Sequence, residues 1–207
     1  MDIRQSYDSA AQAYADHLSD ELLHKPLDRH LLNRFAEATR GQGLVADLGC
    51  GPGHITRYLR QQGVTVCGVD LSENMVAVAR TRNPEIEFRN EDMRSLSAQA
   101  GSLTGIVLFY SIVHFAPDEL LPVFVEARRV LVPNGCVLIA FHVGEYTLHR
   151  DELFGVPVSL EFQAHLRENV VDALHRAGFE VTEESVREPY EEVEHPSRRC
   201  YLLARAV

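Results

Sequence analysis

Five short runs of apolar and β-branched residues recur along the chain, with a helical pattern in most of the gaps between them. The runs are LVADLG (44–49), VTVCGVD (64–70), IEFRNED (86–92), GIVLFYS (105–111) and CVLIAFH (136–142). HITRYLRQQG, SENMVAVARTRN and PDELLPVFVEARRVLVPNG lie between them. Strands alternating with helices specify an α/β fold, a parallel sheet covered on both faces. The continuous apolar run IVLFY fits a strand buried on both sides. Ser72 is placed to cap a helix starting at Glu73, and Asp118 follows Pro117 at the head of another. Pro133-Asn134-Gly135 reads as a turn between helix and strand.

With 207 residues, the chain suits one domain built on one core. Residues 1–39 are helical in pattern and precede the first strand, so they are expected to cap the sheet. Ligands of open α/β sheets lie beyond the carboxyl ends of the strands, and a cap placed there would act as a lid. After residue 142 a stretch rich in Gly, Pro, His and aromatics (143–165) leads to a helix, LRENVVDALHRAGF, and then to two strand-like runs between 180 and 207.

A net charge of −10 argues against a duplex nucleic-acid partner, whose affinity rests on basic side chains neutralising phosphates. Arg57, Arg60, Arg80, Arg82, Arg89 and Arg94 read as a solvated face. No apolar run approaches the roughly 20 residues of a membrane span, and the N-terminus lacks the pattern of a secretory signal. Cys50, Cys67, Cys136 and Cys200 form no C-x-x-C pair, and reduced buried thiols fit a cytoplasmic location. His142 and Glu145 make an H-x-x-E without a second ligand pair, so no metal site is expected.

The stretch VADLGCGPGHIT (45–56) brings backbone close to some ligand. It lacks the spacing and the Lys of a nucleoside-triphosphate loop. It matches only two positions of the dinucleotide fingerprint, His54 standing where the third glycine would be. Asp47, Asp70 and Asp92 each fall at or near the carboxyl end of a strand, so all three border one crevice. Three carboxylates around a pyrophosphate would repel it by about 4 kcal/mol per close pair at an effective dielectric of 20. They suit a ligand with adjacent hydroxyls, an ammonium group and a cationic centre. Asp70 can accept from both ribose hydroxyls, Asp92 from an exocyclic amine, and the N–H of Met93 can read a ring nitrogen. Those demands describe S-adenosylmethionine.

In the same order, VADLGCGPG, CGVDLSENM, NEDMRSL, GIVLFYSIVHF and RRVLVPNGCVLIAF resemble the successive motifs of class I S-adenosylmethionine-dependent methyltransferases. The resemblance implies a Rossmann-like, mostly parallel seven-stranded sheet with an antiparallel last strand. It implies Asp47, Gly49, Cys50, Gly51 and Gly53 at the cofactor loop, Asp70 and Leu71 around the ribose, and Asp92 and Met93 at the adenine. Phe109 and Tyr110 would flank the methionine portion, and Tyr7 and Tyr14, on one helix face, would close over it.

Methyl transfer from a sulfonium is an in-line displacement, and positioning supplies much of the catalysis. His114 and His142, past the fourth and fifth strands, are the candidate general bases, or else polar residues closing strand ends. The 143–165 segment, with Tyr146, Leu148, Leu153, Phe154 and Phe162, is the candidate acceptor wall. No N-P-P-Y motif follows the fourth strand, which leans away from nucleobase and amide acceptors toward an O, C or amine N of a small molecule. The alternatives are a nicotinamide-dependent oxidoreductase, which leaves Asp92-Met93 without a role, and a non-catalytic module of the same fold. Oligomeric state is left open.

Overall fold

The apolar runs form the five parallel strands of one seven-stranded sheet in the computed structural model, which describes residues 2–191 and 193–207. The strands are β1 (Leu44–Leu48), β2 (Thr65–Asp70), β3 (Glu87–Asn90), β4 (Leu103–Phe109), β5 (Leu131–His142), β8 (Phe179–Arg187) and β9 (Arg199–Ala206). Their order is β3-β2-β1-β4-β5-β9-β8. Neighbours from β3 to β5 pair in parallel, and β9 runs antiparallel to both β5 and β8. The chain order reverses between β1 and β4, which opens a crevice at their carboxyl ends.

Alternation along the strands sends apolar residues to both faces. Ile106 and Leu108 of β4 meet α5 (Leu120–Val130) and α6 (Arg167–Arg176). Val107 and Phe109 meet α2 (Pro26–Thr39) and α3 (His54–Gln61). Leu32, Phe35, Ile106, Val107 and Leu108 have no solvent exposure, and each such side chain contributes about 1.5–3 kcal/mol by leaving water. Helix α4 (Glu73–Arg82) is capped as expected, Ser72 Oγ accepting from the Met75 N–H at 3.1 Å.

Four expectations change. β3 stops at Asn90, two residues short of Asp92, because Asp92 makes its own turn: Oδ1 accepts from Arg94 N and its carbonyl from Ser95 N. α5 begins at Leu120, after a 3₁₀ turn at Pro117–Glu119. It passes directly into β5, where Pro133-Asn134-Gly135 forms an irregularity with Asn134 at φ +62°. The 143–165 stretch is a second, two-stranded sheet, β6 (Thr147–Leu153) with β7 (Val156–Gln163). Its turn, Phe154-Gly155, has positive φ at both residues, the geometry that suits the twist of a tight hairpin.

Helix α1 (Ile3–Leu18) bridges this hairpin to the sheet. Ser6 Oγ donates to Ser159 O and accepts from Ser159 N. On the other side Asp8 accepts from Ser72 Oγ at 2.6 Å and from Asn74 N. The N-terminal helix and the hairpin therefore roof the carboxyl ends of the strands. Among the described residues no helix is long and apolar enough to cross a membrane.

Candidate active site

Under that roof lies a cavity of about 900 Å³, near the upper end of the roughly 300–1,000 Å³ typical of ligand pockets. Its floor is the loop between β1 and α3. The N–H groups of Gly49 and Cys50 both donate to Val69 O, at 2.7 and 3.0 Å, which ties the loop to β2. Gly49 (φ +74°) and Gly51 (φ +53°) sit where a side chain is strained. A Cβ on Gly49 would lie 2.4 Å from the Cβ of Ser111. Ser111 Oγ is buried without a hydrogen-bond partner, and Ser111 lines the cavity.

The three acids differ in state. Asp70 closes β2, its Oδ2 accepting from Gly51 N at 2.8 Å and its Oδ1 from Ser72 N at 2.9 Å. Burial raises its pKa against these bonds. Each oxygen keeps one lone pair for a further donor. Asp47 is 2% exposed and accepts from Thr56 Oγ1 at 2.6 Å. Burial pushes it to about 6. Asp92 is bound by Arg94, Nε at 3.0 Å from Oδ1 and Nη2 at 2.6 Å from Oδ2, and this bonding holds its pKa down. A ligand amine at Asp92 would share the carboxylate with Arg94. The N–H of Met93 makes no hydrogen bond among the described residues.

Asp47, Gly49, Cys50, Gly51, Asp70, Leu71, Asp92, Met93, Phe109, Tyr110, Tyr7 and Tyr14 all line the cavity. Gly53 does not. A Cβ there would meet the Phe88 ring at 2.8 Å, so this glycine serves loop packing and the start of α3. Cys50 contributes its backbone position, while its thiol packs with Val76, Ala79 and Phe88. Tyr7 and Tyr14 share a helix face, their rings 5.9 Å apart. Of the five residues expected as an acceptor wall, Leu153, Phe154 and Phe162 face the cavity. Tyr146 is turned toward Gly144, and Leu148 also lies off the lining.

Neither histidine is an available strong base. The His114 Nδ1–H donates to Glu161 O at 2.7 Å, so Nε2 accepts from the Tyr7 hydroxyl at 2.7 Å. Both nitrogens are spent tying α1 and β7 together, and burial lowers the pKa. His142 Nδ1 is 2.8 Å from Ser197 Oγ. Burial, then the charges of Arg199, His195 and Lys25, push it down to about 3.

Two groups escaped sequence reasoning. Glu21, in a 3₁₀ turn between α1 and α2, bonds His54 Nε2 at 2.6 Å and Lys25 Nζ at 2.5 Å. Burial opposes its charge, but His54 and Lys25 pull it down to about 2. The second is a buried polar chain behind Tyr110. Its hydroxyl meets that of Tyr201 at 2.7 Å, and Tyr201 donates to Asp28 at 2.9 Å. Asp28 also accepts from Arg187 Nη2 at 2.8 Å. Tyr110 thus offers the cavity its ring, not its hydroxyl. Partners 159 residues apart leave no local pattern in a sequence.

Among the described residues no group of three or more His, Cys, Asp or Glu could hold a metal ion. The sheet order, the glycine floor and the strand-end acids are those of the class I S-adenosylmethionine-dependent methyltransferase fold. Residues 45–135 match the family described as "Methyltransferase domain".

The chain resembles dTDP-3-amino-3,6-dideoxy-alpha-D-glucopyranose N,N-dimethyltransferase of Streptomyces fradiae, 37% identical over 97 residues (46% of this chain, 38% of that protein). Trans-aconitate 2-methyltransferase of Methylobacterium nodulans is 33% identical over 99 residues (46% and 36%). Magnesium protoporphyrin IX methyltransferase from Synechocystis PCC 6803, solved with bound SAM, shares the fold at a TM-score of 0.73 and 16% identity, covering 99% of this chain and 95% of that one. The matches span from about a third to just over half the length of the curated relatives.

Proposed function

We propose that this chain moves the methyl group of S-adenosylmethionine to a small-molecule acceptor. The observation that carries this is the Gly49–Gly51 floor, too tight for a Cβ at Gly49, flanked by the carboxylate of Asp70 with one lone pair open on each oxygen. A cradle of bare backbone beside a strand-end acid suits an aminoacyl chain joined to a ribose. Asp70 would take the ribose hydroxyls, with Leu71 against the sugar. The unpartnered N–H of Met93 would read the adenine, and Asp92 its amine. Phe109, the Tyr110 ring, Tyr7 and Tyr14 would enclose the methionine portion. Asp47, Glu21 and His54 would face its charged end.

When bound, the cofactor supplies an activated methyl group. The protein's part is to align an acceptor and keep water out, worth up to about 7–11 kcal/mol. The roof of α1 and the β6–β7 hairpin does the second. Relatives named for an aminosugar and for trans-aconitate support a small acceptor and span more than one acceptor atom. The free cysteines fit a cytoplasmic enzyme.

Asp70→Ala tests the reading. S-adenosylmethionine and S-adenosylhomocysteine should bind at least tenfold more weakly, the loss expected when hydrogen bonds to a charged group go, while circular dichroism stays unchanged. Unchanged affinity would refute the assignment.

A further inference from the structure

The two ends of the cavity carry opposite chemistry. Asp47, Asp70 and Asp92 border the end at the glycine loop. Beyond Tyr110 and His142 the lining is Lys25, Arg150, His195 and Arg199. These residues come from three separate segments, Lys25, Arg150 and the His195–Arg199 stretch, and the fold gathers them. His142 and Arg199 are cross-strand partners where β5 meets β9. The His195 ring is 6.5 Å from that of His142, the Tyr110 ring 5.2 Å from it, and Lys25 Nζ lies 5.8 Å over Tyr110. Arg150 reaches the same end from β6.

The acids nearby are largely committed. Glu194 accepts from both Nη atoms of Arg187, at 2.6 and 2.9 Å, and from Tyr190 N. It is also the carboxylate facing Lys25 at 3.6 Å and Arg199 Nε at 3.3 Å. Glu194 thus faces three cations, of which Arg187 has a second carboxylate in Asp28. Lys25 has a second partner in Glu21. Arg199 is 3% exposed, and its Nε makes no hydrogen bond. Arg150 is exposed, as is Glu152 on the same strand, and it makes no ion pair among the described residues. A cation as buried as Arg199 is costly without a full counter-charge.

No strong base faces this end: His114 is fully engaged, and burial with the neighbouring cations makes both His142 and His195 weak bases. An alcohol or ammonium acceptor would have to lose a proton here. A carboxylate would not.

From this geometry, and resting on the methyltransferase reading above, we infer that the acceptor is a small carboxylic acid held as its anion by the charges of Arg150, Arg199 and Lys25, with the His195 imidazole beside them. A carboxylate oxygen forms the new bond to the methyl carbon while the carbon–sulfur bond breaks, its electron pair staying on sulfur. The products are a methyl ester and S-adenosylhomocysteine, and no proton moves. Positive and negative charge cancel in this step, which a water-poor cavity favours. The methylated carboxylate is neutral, so the cations hold the product less tightly than the acid. An acid with a second carboxylate would keep one anchored while the other reacts.

The test begins with protein loaded with S-adenosylhomocysteine, its affinity measured first. Succinate, glutarate, citrate and phenylacetate are then titrated, each beside its amide, with glycerol 3-phosphate as a non-carboxylate anion. At least one acid should bind and its amide should not. Arg150→Gln should weaken that acid roughly tenfold, as loss of a charged partner does, with S-adenosylhomocysteine affinity unchanged. Turnover with methyl-labelled S-adenosylmethionine should give label released as methanol in alkali, the mark of an ester. Failure of every acid, equal binding of the amides, preference for the phosphate, or an alkali-stable product would each overturn the carboxylate assignment while leaving the methyltransferase reading in place. Failure of S-adenosylhomocysteine to bind would remove both.

Discussion

Replacing Gly49 by alanine, with Gly41→Ala beside it, separates backbone strain from crowding of the cavity floor. Gly41 has φ +75°, nearly the same as Gly49 at +74°, yet its Cβ would meet nothing within 4 Å. An alanine forced into the left-handed region costs about 1–2 kcal/mol, partly offset by about 0.4–1 kcal/mol from a stiffer unfolded chain. Gly41→Ala should therefore lose about 1 kcal/mol, or roughly 2–4 °C in Tm for a chain of this size. At Gly49 the new methyl would sit 2.4 Å from the Ser111 Cβ and 3.2 Å from Met93 Cε. Overpacking of that kind adds about 1–3 kcal/mol, giving about 3 kcal/mol in all and a Tm loss of roughly 6–12 °C. The methyl also displaces two cavity-lining side chains, so S-adenosylmethionine affinity should drop at least tenfold, as for a 1.4 kcal/mol loss. Gly41→Ala should bind normally. Thermal melts and calorimetric titrations of both proteins are the assay. Equal melting shifts, or unimpaired binding by Gly49→Ala, would refute the argument that the cavity floor has no room for a side chain at Gly49.

Other outcomes follow from the same geometry. Tyr7→Phe removes the hydroxyl that holds His114 Nε2 and should cost about 1 kcal/mol, with faster hydrogen exchange in α1 and β7; unchanged exchange would deny the strut. Asp28→Asn leaves Arg187 with one of its two buried carboxylates and should cost about 3 kcal/mol in denaturant melts; a loss below about 1 kcal/mol, the scale of a surface pair, would show the chain behind Tyr110 to be incidental. His142 is held at about 3, below its ordinary 6.5. A depressed histidine contributes stability that is present above 6.5 and is lost as pH falls toward 3. His142→Gln should flatten the stability profile between pH 6.5 and 5, above the range where Glu21 and Glu194, both pulled to about 2, begin to titrate. Parallel profiles would contradict the burial argument. Asp47 has the opposite sign: raised to about 6, it favours folding when protonated, and that contribution fades as pH rises through 6.

What the sequence revealed, and what it hid, follows from the range of the contacts. The floor was legible because its parts are near in the chain: Gly51 meets Asp70 across 19 residues, and both belong to strand-end motifs. Gly53 lies off the cavity lining, and a glycine pattern does not say which Cβ would strike a cavity-lining side chain such as Ser111 and which a core phenylalanine. The β6 strand was missed because TLHRDEL is exposed along almost its whole length and shows little alternation. Its partner VPVSLEFQ does alternate, and Val158 and Leu160 are buried against Ala10. The cations at the far end of the cavity come from separate segments and meet only once β9 pairs with β5.

The most direct check of the central claim is calorimetric titration of the unaltered protein with S-adenosylmethionine, S-adenosylhomocysteine and NADH. The account predicts that both sulfur nucleosides bind with one-to-one stoichiometry and that NADH does not. Binding of NADH in their place, or of none of the three, would contradict it.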